Sequence, residues 1–542
     1  MKTKVQISVL ILCLFMSKCY ASVFYIDPFN GSNTLGNGSI TNPWKTLEYV
    51  INSNKIESHS YVTPYNSSSP QLITKNSGAP IKEGDIIMLY SGLHGDIFIQ
   101  NYINSSQITI MAMPDNYPIF KKCRLQGAKN WKFESITVSS EIYGSYYTGD
   151  LFFLESNNFY GPVSYINIKN CKILSTSSPW TTASEWVNNA SNGINAVGDH
   201  VVLDLNTLTN TRFGITLKGN YNTATRNIIQ NFSGDGLRIL GSNNLVEANI
   251  IKNCYKVDDN HDDGIQSFTT GGIIADNNIV RGNTILNYED PNQPLLGPLQ
   301  GIACFDGPFN NWIIENNQVI VNHWHGISVY GGKNFKIANN TVIDPTPTIT
   351  PGPAWIKIED YNGVPSNTCV VKNNISNTLS INPNSETTVG NNLLISNFSA
   401  YSSNFVNYQA NNYHLLSGSS AIDNADDNFA PTLDFDLIAR PQGISSDIGA
   451  FEYVKSIFLS TEDILKNDSF KVFPIPANDF LMIESSHNDA NVKLFNFLGK
   501  IVYNKTVPKF PHIIRINEWP KGVYILKIST SKYNMTKKII KE

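Results

Sequence analysis

Gly214-Ile215-Thr216-Leu217-Lys218, Gly236-Leu237-Arg238-Ile239-Leu240 and Gly264-Ile265-Gln266-Ser267-Phe268 are three short segments that each open on glycine and a branched or bulky apolar residue. They lie 22 and 28 residues apart. The same opening occurs upstream at Gly193-Ile194 and downstream at Gly301-Ile302 and Gly326-Ile327, with Trp355-Ile356 a weaker copy. A second pattern keeps step with the first: Asn227-Ile228, Asn249-Ile250, Asn283-Thr284, Asn317-Gln318, Asn340-Thr341 and Asn374-Ile375. Two patterns on one irregular period imply a coil with at least two strands per turn. One such coil cannot bury its apolar face, whereas a stack of coils makes one long core. The expectation is an all-β, right-handed parallel β-helix.

Within each glycine strand, residues two apart point the same way. Ile265 with Ser267, and Ile327 with Val329, are therefore expected inside. Asn at a bend can pass hydrogen bonds to the Asn one coil away, and it tolerates a left-handed backbone. A propeller needs about 40–50 residues per blade, more than the shortest gaps hold. The wider gaps before Gly264 and Gly301 read as loops inserted on one edge, where function commonly sits.

Outward from this centre the composition changes. The 542 residues carry a net charge of −4. Residues 469–542 hold eleven Lys and one Arg against five acids, and residues 22–468 are left at −14. So acidic a body is a poor nucleic-acid binder. Residues 1–21 read as a signal peptide, with Lys2 and Lys4 before the apolar stretch Val5 to Met16 and Ala21 at the cleavage site. No later segment reaches the ~18 apolar residues of a spanning helix. Cys123, Cys171, Cys254, Cys304 and Cys369 are scattered, which excludes a disulfide framework or a zinc site. The domain reading is a signal peptide (1–21), a β-helix (22–453), a linker (454–468) and a small antiparallel sandwich (469–542).

The densest polar set falls on the glycine strands from 212 to 360. Lys218 and Arg238 lie on neighbouring coils, spaced about 4.8 Å, and are read as reaching one sugar. Asp263 and Gln266 follow, then Asp306, then His323, Trp324 and His325. In Asp258-Asp259-Asn260-His261-Asp262-Asp263 four carboxylates fall within six residues. Ca²⁺ takes six to eight oxygens of this kind, so Asp258, Asp259 and Asp262 are its candidate ligands. Trp324 is a candidate sugar platform, as are Trp180, Trp186 and Trp312. Asp235 and Asp263 could serve as the carboxylate pair of a hydrolase.

Resemblances sharpen these expectations. Phe24-Tyr-Ile-Asp-Pro28, Lys82-Glu-Gly-Asp-Ile-Ile-Met-Leu89, Ser419-Ser-Ala-Ile-Asp423 and Asp447-Ile-Gly-Ala-Phe-Glu-Tyr453 resemble the opening and closing segments of secreted β-helix proteins. Val472-Phe-Pro474, Gly499-Lys500, Trp519-Pro-Lys-Gly-Val-Tyr-Ile-Leu526 and the basic tail at Lys537 resemble the type IX secretion sorting domain of Bacteroidetes. That resemblance implies the secretion machinery as a partner and a secreted or cell-surface location. The body resembles polysaccharide lyases, uronate epimerases and pectin-type hydrolases. Lys218 and Arg238 look like the base and acid of β-helical alginate lyases, and His325-Gly-Ile looks like the strand bearing a catalytic His in mannuronan epimerases. The implied activity is β-elimination on a uronate polysaccharide such as alginate. Lys218 or His325 is then the base, and Arg238 the carboxylate binder or acid. Asp263 joins the catalytic set, with Gln266, Trp324, His323 and Asp306 binding substrate. Epimerase and hydrolase chemistry stay open, as does a non-catalytic adhesin.

Overall fold

The computed structural model describes residues 21–142, 146–454, 470–485, 488–496, 500–530 and 534–541. Apart from Ala21 and Val454, the expected signal peptide and linker lie outside them. The chain divides into two units, residues 1–453 and 454–542.

The first unit is a right-handed parallel β-helix with three strands per coil. One coil runs Leu237–Ile239, Leu245–Glu247, Ile250–Cys254. Each strand pairs in parallel with its counterpart one coil on: Leu237 opposes Ile265, Ile265 opposes Ile302, Ile302 opposes Ile327, and Ile327 opposes Ile356. These five side chains form a fully buried inner stack. Ser267 faces inward too, its Oγ donating to the Ile239 carbonyl at 2.6 Å.

Both repeats have a steric or hydrogen-bonding cause. A Cβ on Gly264 would meet Ile285 Cγ2 at 2.5 Å and the Gly301 carbonyl at 3.0 Å. Glycine is therefore the residue that lets the first strand press onto the third. The Asn column is a continuous buried amide ladder. Asn227 donates through Nδ2 to Asn249 Oδ1 at 2.9 Å, Asn249 to Asn283 at 2.9 Å, and Asn283 to Asn317 at 3.0 Å. Contrary to the sequence reading, these Asn are not the left-handed residues of the bend. The residue before each one is: Arg226 (φ 55°), Ala248 (φ 55°), Asn316 (φ 54°).

The coil ends are closed differently. Helix Leu47–Asn52, capped by the Thr46 side chain, contributes Leu47, Val50 and Ile51 to the N-terminal core. Segment 395–453 packs Tyr401, Phe405, Tyr413 and Phe451 against Leu286, Ile320, Ile343 and Ile375 of the Asn strands. Loops 176–191, 255–262, 288–299 and 344–354 are all inserted just before glycine-type strands, along one edge. The second helix, Ala183–Asn189, lies in the first of these. Thr182 and Glu185 form its capping box, and its Trp186 packs with Trp180 and Tyr255.

The second unit has two antiparallel sheets. One holds Phe470–Phe473, Phe480–Ser485 and His512–Arg515. The other holds Ile501–Val507, Ala490–Asn496, Gly522–Ser529 and Asn534–Lys541. Residues from both, including Leu481, Ile483, Val492, Leu494 and Leu526, share one core.

Candidate active site on the glycine-strand face

At Gly236, Gly264 and Gly326 the residue before the glycine curls onto the residue two after it. Asp235 Oδ2 accepts from Arg238 Nε at 2.6 Å, and Asp263 Oδ2 accepts from Gln266 Nε2 at 2.8 Å. His325 Nδ1 lies 2.8 Å from Ser328 Oγ. Side chains of the first position therefore form a column across the coils, Asp235, Asp263, Gln300 and His325, beside the outward side chains of the second. Loops 255–262 and 288–299 lead directly into the strands of Asp263 and Gln300.

Two carboxylates sit behind basic side chains. The Asp235 and Asp263 side chains have no exposed surface. They are linked through the Asp263 N–H, which donates to Asp235 Oδ1 at 3.1 Å. Burial pushes both carboxyls above the usual carboxylate range. Arg238 covers Asp235 and lies 3.6 Å from the Phe213 ring centroid. His261 covers Asp263, its Nδ1–H donating to Oδ2 at 3.0 Å. That bond raises the imidazole above its ordinary value. The His261 ring is over half exposed, so Nε2 is the nitrogen a ligand meets.

His325 sits across Phe305 from His261, with ring centroids 5.1 and 6.2 Å from Phe305. Trp355 Nε1, a donor only, reaches Ser328 Oγ at 3.1 Å. The Ser328 hydroxyl then donates to His325 Nδ1, and the His325 proton is left on Nε2. Burial holds His325 and His323 neutral, each down to about 4. His323 Nδ1 accepts the His325 N–H at 3.0 Å. Trp324 is 39% exposed, its Nε1 tied to the Gly352 carbonyl at 3.0 Å.

Several expectations change. His325 has its Nδ1 engaged by Ser328 and is held neutral by burial. Gln266 is buried and orients Asp263 instead of reaching outward. Lys218 is exposed and lies two residues beyond the register partner of Arg238, whose guanidinium turns the other way, toward Asp235. The two therefore do not converge. Asp306 lies beyond the end of the strand Gln300–Cys304, in a left-handed backbone conformation (φ 60°), and holds Tyr361. Trp180, Trp186 and Trp312 are core packing.

The expected calcium ligands do not form one donor set. Asp258 pairs with Arg212 at 2.7 Å, and Asp262 with Lys256 at 3.4 Å. Asp259 is exposed. Among the described residues no group of three or more His, Cys, Asp or Glu is placed to hold a metal ion. These residues do not fit Ca²⁺, whose ligand carboxylates would have to give up their lysine and arginine partners. The sequence reading gave His261 no role. The signal was its place three residues before Gly264, the place His323 takes before Gly326.

Comparison with known proteins agrees with this architecture. Residues 154–342 match the family model of the right-handed β-helix region, and residues 471–542 match that of the secretion system C-terminal sorting domain. No curated protein matches the sequence. Among solved structures, a pectate lyase is similar at 13% identity and a TM-score of 0.41, over 80% of this chain and 96% of its own. The A-module of a mannuronan C-5 epimerase from Azotobacter vinelandii is similar at 11% identity and TM-score 0.37, over 58% and 91%. A family 6 alginate lyase is similar at 14% and 0.31, over 65% and 56%. Likeness at this level shows the fold alone.

Proposed function

Starting from a β-helix that carries a secretion sorting domain and is exported to the cell surface or beyond, we propose that the protein cleaves an acidic, uronate-containing polysaccharide by β-elimination, alginate being the first polymer to try. One observation carries the reading. Asp235 and Asp263, the carboxylates that directly precede the glycines, are wholly buried behind Arg238 and His261, so at these coils the groups offered to solvent are a guanidinium and an imidazole. A hydrolase needs two carboxylates that reach the scissile bond. A uronate needs a cation for its carboxylate and a base for the proton beside it.

In this scheme Arg238 takes the sugar carboxylate and makes the C5 proton more acidic. His261, oriented by Asp263, accepts that proton at Nε2 in its neutral form. The C5–H pair becomes the C4=C5 double bond, the C4–O4 bond breaks, and the leaving oxygen receives a proton. That proton comes from the His261 imidazolium just formed or from water, while the neutral His325 offers only a hydrogen bond. Lys218 serves as an outlying cation for a neighbouring uronate, and Trp324 as a ring platform. Epimerase chemistry shares the first step and differs in returning the proton.

Incubating the purified protein with uronate polymers tests this. Ultraviolet absorbance of the unsaturated sugar together with shortened chains supports the lyase. New reducing ends without that absorbance mean a hydrolase, inverted uronates in intact chains mean an epimerase, and binding alone means an adhesin.

A further inference from the structure

A second cavity lies away from the glycine-strand face, where the closing segment meets the roots of the inserted loops. It encloses about 470 Å³, within the usual range for small-molecule sites. Its floor is Leu286 and Ile320, and its walls include Tyr288, Phe398 and Tyr408. Phe398 stacks on Tyr408 at 17° with centroids 6.2 Å apart, yet remains 46% exposed.

Asn287 also lines the cavity and is 1% exposed. Its Nδ2 donates to the Gly297 carbonyl at 2.8 Å and to Asn322 Oδ1, while its Oδ1 has no donor in the protein. A buried acceptor without a donor is costly unless something fills the gap. The lining contains no Lys or Arg, and its one charged residue is Glu289. A ligand here therefore brings hydroxyl donors and apolar ring faces, and carries no negative charge. Neutral pyranose sugars have that combination: axial C–H faces that lie on aromatic rings and hydroxyls that donate to an amide oxygen.

We propose that this cavity is a second carbohydrate-binding site, selective for neutral pyranose units, with a sugar hydroxyl donating to Asn287 Oδ1 and a ring face against Phe398 and Tyr408. Asn287 also links it to the first site, because Asn322, its partner, directly precedes His323 and Trp324. The proposal stands whether or not the glycine-strand face is catalytic.

Calorimetric titration of the full chain with neutral manno-, gluco-, galacto- and xylo-oligosaccharides, and separately with uronate oligomers, tests it. At least one neutral series should bind. Phe398→Ala, at an exposed position, should weaken that binding at least about tenfold, with the melting temperature and the binding of uronate oligomers unchanged. Tyr408→Ala provides a second variant if the first unfolds. Absence of binding by every neutral series at millimolar concentration overturns the site. So does neutral-sugar binding that survives both substitutions but is lost in Arg238→Ala, since that would place all sugar on one face.

Discussion

At the residue scale, the chemistry depends on which side chains stand in front of which. Arg238→Ala and His261→Ala are each expected to lower turnover on the active polymer by about 10²-fold or more, as lost acid–base or carboxylate-binding groups do. Lys218→Ala should cost less than about tenfold and act through KM, because that cation does not converge with the other two. Circular dichroism should show all three variants folded. Near-normal turnover in both Arg238→Ala and His261→Ala would move the site elsewhere. Asp263→Asn removes the carboxylate charge that helps raise His261, so the acid limb of the rate profile should shift to lower pH. A limb that stays put would deny His261 the role of base. Asp344 belongs to stability. It is fully buried, one oxygen has no donor, and burial lifts its carboxyl to about 6. The folded state therefore holds this proton better than the unfolded chain, and its contribution is lost as pH rises from the ordinary carboxylate value through about 6. Asp344→Asn should gain about 1–2 kcal/mol relative to the parent between pH 5 and pH 8. Melts at the two pH values check this, and a constant difference would refute it.

At the element scale, each rung of the helix repeats the same two constraints. Asn283 accepts from the Asn249 backbone and side chain and donates to Asn317 and the Val246 carbonyl. Asn283→Ala strands buried donors on one side and an acceptor on the other, at an expected cost of about 2–4 kcal/mol. Chemical denaturation measures it, and a loss below about 0.5 kcal/mol would mean that the ladder is ornamental. The inserted loop 255–262 shows the opposite case, an element whose acidity is already neutralised. Arg212 and Lys256 hold Asp258 and Asp262, so exhaustive chelation should leave the melting temperature and activity unchanged. A clear drop in either would restore calcium to the loop.

At the scale of the whole molecule, the two units have separate cores. Residues 22–453 expressed alone should fold and keep the activity of the full chain. In the native host the chain lacking residues 469–542 should accumulate in the periplasm, provided residues 1–21 direct passage across the inner membrane. Fractionation of cells and medium decides it, and normal export of the truncated chain would overturn the role of the second unit.

The sequence by itself determined the β-helix, the edge that carries the loops, and the exported character of the chain. Each coil must solve the same packing problem, so Gly264 and Asn283 recur in kind at every rung and are visible without coordinates. It also singled out the glycine strands from 212 to 360 as the candidate face. Only the tertiary structure decided the roles on that face. That Asp263 is tied to Asp235 depends on two coils lying side by side 28 residues apart in the chain, and the Ser328 hydroxyl beside His325 is engaged by Trp355 one coil further on. Such pairings arise between coils, where lateral stacking sets distances that spacing along one chain does not encode. The neutral cavity was illegible for the same reason. Asn287 and Phe398 are more than a hundred residues apart, and they meet because the closing segment turns back to cover the apolar outer side of the Asn strands.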